Sequence, residues 1–231
     1  MSAPALWAVG VDVRGRELTR RRVRHGASVQ ETLAAAGFAA VQGERVDTQG
    51  DPHELSIVMR VRPGEVVARH RPPTLWDPDL IVAPGEVAVR AQRVAVNALV
   101  RSQRGVLLTE YSERTNVAGT WGPPGGGIDP GESAEQALAR EVHEETGQRV
   151  QVGAFVGVLH GHWLGRAPDG VLEDFHLVRL VYLAACPQPA DPVVHDVGGT
   201  TSAAAWVGVD RIPDLPLASG WADLLRLVAT D

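Results

Sequence analysis

The sequence is short of several features that would each point to a particular class of protein. It has one cysteine, Cys186, in 231 residues, which excludes an intrachain disulfide and favours a reducing compartment. All 22 basic residues are arginine, so no lysine can act as a base or as a Schiff-base nucleophile. No apolar run approaches the roughly 20 residues of a membrane-spanning helix. The first residues, 1–14, carry no basic segment ahead of their apolar stretch, which is not typical of a signal peptide. Together these absences predict a soluble cytoplasmic protein.

The overall composition is that of a globular chain able to bury a core, with 44% hydrophobic and 22% charged residues. The net charge of −6 argues against a general nucleic-acid or membrane-surface binder. There are no internal repeats and no low-complexity tracts. The length allows one large domain or two small ones.

Residues 1–62 are expected to form a small β-rich unit with one helix. Strands are predicted near residues 6–13, 17–24, 38–46 and 54–61. Ser28 and Glu31 have the spacing of a capping box for a helix over residues 29–36, and Gly37 is expected to end it.

Residues 63–89 are predicted to be a proline-rich connector, because prolines favour extended chain over regular structure. An irregular loop packed within a single domain is the alternative. Trp76 is expected to cover a surface rather than bind a ligand. The prolines of this stretch are Pro63, Pro72, Pro73, Pro78 and Pro84.

Residues 90–231 are predicted to form the second unit. Two strands near residues 93–101 and 105–111 are joined by a tight turn, and a glycine-rich turn follows. After a central helix, strands are expected at residues 149–163, 175–186 and 203–209, and a helix at 221–228.

Glu141, Glu144 and Glu145 fall within an arc of roughly 100° on the helix that follows the glycine-rich turn. Like charges at this spacing repel, so a cation is expected in front of them unless they face water. An all-oxygen set of this kind suits Mg²⁺, which uses a few carboxylates together with substrate phosphates. The first turn of this helix is expected to carry Glu132 and Ser133.

The whole segment 126–148 matches a longer pattern, G-x5-E-x7-R-E-U-x-E-E-x-G-U, in which U is a bulky aliphatic residue. Fixed identities at this many spacings are far more specific than a lone glycine motif. The segment resembles the Nudix box, the signature of the Nudix hydrolase superfamily. Gln148 departs from the pattern at a position that packs the helix exit. The matching residues are Gly126, Glu132, Arg140, Glu141, Val142, Glu144, Glu145 and Gly147.

The resemblance implies an α/β fold, a Nudix-type α/β/α sandwich with a mixed β-sheet, preceded here by the β-rich N-terminal unit. It also implies hydrolysis of a nucleoside diphosphate linked to another group, with water and Mg²⁺, or Mn²⁺ in its place. The implied metal ligands are the carbonyl of Gly125 and the carboxylates of Glu141, Glu144 and Glu145.

Two further roles follow from the same resemblance. Arg140 is expected to orient Glu132 through a charge-assisted hydrogen bond, for which a guanidinium fork is well suited. One glutamate of the box is expected to accept a proton from the attacking water, and which of the three does so stays open.

Several residues outside the box are weaker candidates. Glu173 and Asp174 are candidates for the further carboxylate that a later loop supplies in many members, and a solvated hairpin end is the alternative. His160 and His162 lie two apart on a strand and point the same way, yet a metal site there needs a third ligand. His143 is expected to be exposed. Residues 198–201 would either touch a phosphate or form a bare loop.

Three functions stay open: a pyrophosphohydrolase, a non-catalytic nucleotide-sensing module on the same fold, and an isoprenoid diphosphate isomerase that would need Cys186. The substrate implied by the resemblance is a small nucleotide or nucleotide sugar. The subfamily markers for ADP-ribose, dinucleoside polyphosphates and coenzyme A are missing, so none of these three assignments is supported. No DNA, RNA or membrane partner is expected. Residues 1–62 are a candidate homodimer surface, by analogy with ADP-ribose hydrolases.

Overall fold

The computed structural model describes residues 4–49, 53–64, 74–75, 80–167, 169–196 and 198–229. Much of the predicted proline-rich connector, including Trp76, lies outside these residues. Within the described ranges, no helix combines the length and the apolar composition needed to cross a bilayer.

The N-terminal part is β-rich with one short helix, as the sequence predicts. Its four strands form a sheet in the order β2-β1-β4-β3, with β1 parallel to β4 and the other pairs antiparallel. The helix begins at the predicted capping box, since Ser28 accepts from the backbone of Glu31 and the Glu31 side chain accepts from that of Ser28. The elements are β1 Ala5–Val11, β2 Glu17–Arg22, α1 Val29–Ala34, β3 Phe38–Gln49 and β4 Glu54–Pro63.

The remaining strands form a mixed sheet in the order β11-β7-β6-β10-β9-β5, with β8 paired to β7. The predicted turn between β6 and β7 is a two-residue hairpin, closed by the pairing of Ser102 with Gly105. A 3-10 helix over Val209–Asp214 precedes the last helix. The elements are β5 Thr74–Leu75, β6 Val89–Ser102, β7 Gly105–Tyr111, β8 Trp121–Gly122, α2 Ala134–Thr146, β9 Gln151–Arg166, β10 Leu172–Ala185, β11 Thr201–Val207 and α3 Trp221–Ala229.

The chain divides into two compact units, and the division is not a simple cut along the sequence. Unit 1 consists of residues 1–95 and 157–179, and unit 2 consists of residues 96–156 and 180–231. Strands β6, β9 and β10 therefore contribute residues to both units. The predicted boundaries at 62/63 and 89/90 stay predictions.

Each unit has its own apolar core. In unit 1 the fully buried side chains include Leu6, Leu33 and Ile57, and in unit 2 they include Leu99, Leu138 and Trp221. Burying one such side chain contributes about 1.5–3 kcal/mol. Leu138 lies on α2, so this core also fixes the helix that carries the predicted glutamates.

Candidate active site

Helix α2 begins at Ala134, after both Glu132 and Ser133, which the sequence predicts in its first turn. Ser133 is the N-cap: its side chain accepts from the backbone of Gln136, whose side chain accepts in turn from the backbone of Ser133. Glu132 therefore precedes the helix instead of lying in its first turn. At the other end Gly147 adopts φ +70°, a left-handed conformation that glycine tolerates without steric cost.

The glycine-rich turn is held against β6 by its backbone. Ala98 and Val96 donate to the carbonyls of Pro124 and Gly126, each at 2.9 Å. Gly125 lies between them with φ +149°, and a Cβ there would overlap the backbone of β6. Only glycine fits this position, so the lack of a side chain at Gly125 is what lets the turn lie against β6.

Arg140 joins three carboxylates around one guanidinium. Its Nε and Nη2 donate to the two carboxylate oxygens of Glu132, both at 2.8 Å, which is the pairing that the sequence predicts. Its Nη1 donates to Glu141 at 2.8 Å and to Glu144 at 3.2 Å. The hydrogen bonds from Arg140 hold the pKa of Glu132 below its usual value. The guanidinium therefore offsets part of the repulsion within the cluster and fixes the direction of each carboxylate.

Glu141 also packs directly on the glycine-rich turn. A Cβ at Gly126 would fall on the Glu141 carboxylate, so the absence of a side chain at this position makes room for it. The Arg140 guanidinium reaches the same turn, since its Nη2 donates to the carbonyl of Gly127 at 3.0 Å. The turn and the helix are thus connected through charged side chains as well as through the chain itself.

Glu145 is the most deeply buried of the four glutamates, with 4% exposure. Its two oxygens accept from the Gly125 backbone at 2.8 Å and from the Thr201 hydroxyl at 2.6 Å. Burial raises its pKa to about 7, an effect that the two hydrogen bonds oppose and that the charges of Glu141 and Asp196 add to. A carboxylate with so little compensation is a strong ligand for a cation, because a positive ion would stabilise its charged form.

The burial of Glu145 corrects the expectation that the box glutamates share one exposed face. The buried side of α2 carries Ala134, Leu138 and Val142, and position 145 continues this stripe at helical spacing. Glu144 lies outside the stripe, and its side chain is 45% exposed. The helix thus presents its carboxylates at graded depths, from buried Glu145 to partly exposed Glu144.

The loop before β11 supplies two neighbours that the sequence did not single out for this role. Thr201 was considered as a phosphate contact or part of a bare loop, yet it begins β11 and bonds to Glu145. Asp196 donates its backbone N–H to the carbonyl of Glu144 at 3.1 Å, and its charge acts on Glu145. Both lie at least 50 residues beyond the helix in sequence, so only the folded chain shows them together.

Gln148 explains how a polar residue is tolerated where the family pattern has an aliphatic one. It is 2% exposed, and its side-chain amide donates to the carbonyl of Thr146 at 3.1 Å. Its carbonyl oxygen accepts from the backbone of Ala190 at 2.9 Å. The buried amide is therefore hydrogen-bonded at both ends, which removes most of the cost of burying it.

Cys186 is not suited to act as a nucleophile. It is buried, and burial raises the pKa of its thiol. A catalytic thiol needs the opposite shift, toward the thiolate. The isomerase function therefore gains no support from the one cysteine in the chain.

The candidates on β9 and β10 all lie in unit 1. Glu173 and Asp174 fall within β10, not before it, and Asp174 accepts from His162 at 2.6 Å. His160 and His162 lie on β9 as expected. His143, on α2 in unit 2, is exposed as predicted and has its ring centroid 5.3 Å from that of His195.

Comparison with known proteins identifies the family to which this geometry belongs. The sequence model of the NUDIX domain matches residues 91–228. This chain belongs to the Nudix family. It is 31% identical to nucleoside triphosphatase NudI of Enterobacter sp. (strain 638) over 99 residues, which are 39% of this chain and 67% of that protein.

The chain is also similar to a second curated Nudix protein and to a solved structure. The m7GpppN-mRNA hydrolase NUDT17 of Xenopus laevis is 43% identical over 70 residues, or 29% of this chain and 24% of that protein. The MutT protein from Methanosarcina mazei Go1 is 26% identical and has a TM-score of 0.47, over 60% of this chain and 94% of that one. The predicted family, fold class and hydrolase class are thus confirmed by the family match and its relatives.

Proposed function

We propose that this Nudix protein hydrolyses a pyrophosphate bond in a nucleoside diphosphate derivative, of the nucleotide or nucleotide-sugar type, and that it needs Mg²⁺ or Mn²⁺. The observation that carries the proposal is the convergence of three glutamates on one guanidinium, beside a fourth, Glu145, that accepts from the backbone of the glycine-rich turn. The ligands in this proposal are the Gly125 carbonyl and the carboxylates of Glu141, Glu144 and Glu145.

The donor set fits a hard divalent cation. All four donors are oxygen atoms, which Mg²⁺ prefers. Arg140 donates to the carboxylates of Glu132, Glu141 and Glu144, which together carry more negative charge than one guanidinium neutralises. Burial raises the pKa of Glu145, and the charges of Glu141 and Asp196 add to this effect. A divalent cation would supply the missing charge.

The path of the glycine-rich turn supports a role for the Gly125 carbonyl. The carbonyls on either side of it, those of Pro124 and Gly126, point at β6. Successive carbonyls of an extended chain point to opposite sides, and the N–H of Gly125 already points at Glu145. We therefore expect the Gly125 carbonyl to face the glutamates of α2.

The chemistry follows from charge and position. A bound divalent cation would neutralise the phosphates and lower the pKa of the attacking water. The protein itself contributes by fixing the carboxylates before substrate arrives, through Arg140 for Glu141 and Glu144 and through Gly125 and Thr201 for Glu145. Such preorganised charge is the main source of catalysis in phosphoryl transfer.

The substrate class is proposed from the relatives. They include a nucleoside triphosphatase and an m7GpppN-mRNA hydrolase, whose substrates as named share a phosphoric anhydride attached to a nucleoside. The test is a panel of nucleoside triphosphates, sugar nucleotides, dinucleoside polyphosphates, ADP-ribose, NADH and coenzyme A, with release of phosphate or pyrophosphate followed in Mg²⁺ or Mn²⁺.

We expect turnover of one class that EDTA abolishes and excess Mg²⁺ restores. Turnover that is unaffected by EDTA would contradict the metal dependence. Tight binding of a nucleotide without turnover of any substrate would instead favour the nucleotide-sensing module.

Residues 1–62 are further proposed as a homodimer surface. Strands β2 and β3 lie at the two edges of the four-stranded sheet, and edge strands offer backbone groups for pairing with a second chain. Light scattering of the full chain should then give twice the mass of one chain, and a monomer mass across a wide range of concentrations would overturn the proposal.

A further inference from the structure

A group of histidines lies in unit 1, apart from the residues of the Nudix box. His25 follows β2, His162 lies on β9, and Asp174 lies on β10. One ring nitrogen from each histidine and one carboxylate oxygen of Asp174 all lie within 4.8 Å of one another. Asp174 Oδ1 is 2.6 Å from Nε2 of His162 and 3.3 Å from Nε2 of His25.

The backbone after β2 is shaped to bring these side chains together. Ala27 donates to the carbonyl of Arg24 at 3.0 Å, which closes a tight turn around His25 and Gly26. Gly26 has φ +76°, and a Cβ there would come within 2.8 Å of Nδ1 of His162. Glycine at this position therefore serves both the turn and the close approach of the His162 ring.

The cluster has ring nitrogens that hydrogen bonding does not satisfy. Within the described part of the chain, neither Nε2 of His25 nor Nδ1 of His162 has a hydrogen-bond partner, although both are buried. The contact of His25 with Asp174 is close enough in distance but lacks the geometry of a hydrogen bond. Leaving a buried polar atom unpaired costs about 1–3 kcal/mol, so such atoms call for an explanation.

A metal ion accounts for both the convergence and the unpaired nitrogen of His25. A tetrahedral ion with bonds of about 2.0–2.2 Å holds its ligand atoms about 3.3 Å apart. The His25 to Asp174 separation already has this value, and His162 would need to withdraw from Asp174 by less than about 1 Å. Two imidazoles and one carboxylate favour a borderline transition metal over Mg²⁺.

We propose that His25, His162 and Asp174 bind one divalent transition-metal ion of the Zn²⁺ type. The ion ties the turn after β2 to strands β9 and β10 within unit 1, and its fourth position takes a water molecule. One ligand, His25, lies outside residues 91–228 and the other two lie inside them. The site thus depends on the N-terminal extension and is not provided by the matched Nudix segment alone.

His160 and His176 border the site without joining the ligand set. The ring centroids of His160 and His176 are 5.0 Å apart, and that of His176 is 5.4 Å from that of His25. His176 is fully buried, and burial together with the neighbouring histidines lowers its pKa to about 3, so it packs as a neutral ring. His160, exposed and two residues from His162, is therefore the matched control for the test.

The test uses the full chain, stripped of metal with EDTA, dialysed, and titrated with Zn²⁺ in excess Mg²⁺ so that the carboxylates of the box are occupied. Bound Zn²⁺ per chain is measured by elemental mass spectrometry, and the melting temperature of the protein is measured with and without Zn²⁺. We expect His162→Gln and Asp174→Asn to lose one Zn²⁺ per chain and the rise in melting temperature that Zn²⁺ gives. His160→Gln and Glu144→Gln should keep both.

Equal Zn²⁺ content in wild type and His162→Gln would overturn the proposed site. The contact of His162 with Asp174 would then be a hydrogen bond and nothing more. Loss of Zn²⁺ in His160→Gln would overturn the ligand set in favour of the pair on β9. If a strand variant fails to fold, His25→Gln in the turn carries the same test, since it should lose the same ion.

Discussion

The two polar clusters of this protein have opposite compositions. In unit 2 one guanidinium, that of Arg140, lies among carboxylates, and in unit 1 one carboxylate, that of Asp174, lies among imidazoles. The first cluster offers hard oxygen donors and the second offers mainly nitrogen donors. Donor chemistry alone would therefore keep the two proposed metals apart, since Mg²⁺ prefers the first set and a Zn²⁺-type ion the second.

The clusters also differ in how their polar atoms are satisfied. Both oxygens of Glu145 accept hydrogen bonds, and Arg140 donates to Glu132 with two nitrogens. In the histidine cluster, by contrast, buried ring nitrogens lack partners within the described residues. The carboxylate cluster is thus positioned by the protein itself, whereas we infer that the histidine cluster is completed by an ion.

The strongest test of the difference between the two clusters is to remove one proposed metal ligand from each. Glu144→Gln should lower turnover in Mg²⁺ about 100-fold or more, because it removes a negatively charged ligand of the proposed cation, which would stabilise the transition state. His162→Gln should leave turnover in Mg²⁺ within about threefold of wild type while losing Zn²⁺. Steady-state kinetics with the best substrate of the panel provides the measurement.

Glu135→Gln is the matched control for the first variant, since Glu135 lies in the first turn of α2, outside the proposed ligand set. Wild-type turnover in Glu144→Gln, or an equal loss in Glu135→Gln, would contradict the proposed ligand assignment.

The buried charge of Glu145 gives a second, smaller effect that depends on pH. Its pKa in the folded chain, about 7, lies above its ordinary value of 4.5, so the folded state holds a proton that the unfolded state has released. In EDTA the free energy of unfolding should therefore fall as the pH rises from 4.5 to 7, by on the order of 3 kcal/mol in all. Glu145→Gln cannot ionise and should lack this fall.

Urea denaturation of both proteins at pH 4.5, 6 and 8 measures the difference. Parallel stability curves for wild type and Glu145→Gln would mean that the site compensates this charge without a cation, and would weaken the contrast between the clusters.

Arg140→Met gives the smallest of the three expected effects and tests whether the charge of the guanidinium offsets the repulsion among the carboxylates. We expect a loss of about 1–2 kcal/mol, reduced from the value for a fully buried pair because water screens the partly exposed cluster. The loss should shrink when Mg²⁺ is added, since the cation replaces part of the missing positive charge. Chemical denaturation with and without Mg²⁺ measures both.

Arg166→Met provides the comparison for this variant, since Arg166 pairs with Glu86 at the surface. A stability loss in Arg140→Met that Mg²⁺ leaves unchanged would show that Arg140 acts through packing and not through its charge.

The sequence is most informative where the chemistry is local. The capping box of α1, the turn between β6 and β7 and the pairing of Arg140 with Glu132 all depend on residues near one another in the chain, and all are found. The burial of Glu145 was missed although the signal is present, because position 145 lies on the apolar stripe of α2.

Other features depend on contacts that no spacing shows. Thr201 meets Glu145 across 56 residues. His25 lies far along the chain from His162 and Asp174, so no spacing in the sequence shows that these three side chains meet. The grouping of residues 157–179 with residues 1–95 is of the same kind, since composition carries no sign of it.

The grouping of residues 157–179 with residues 1–95 affects the design of truncated versions of the protein. A product that begins at residue 90 would retain the family segment but discard most of the unit to which residues 157–179 belong. His176, buried in the full chain, would then lose its contact with the ring of His25. We expect such a product to precipitate or to bind chaperones during expression. A poor yield would then result from the choice of the truncation site and not from the catalytic segment itself.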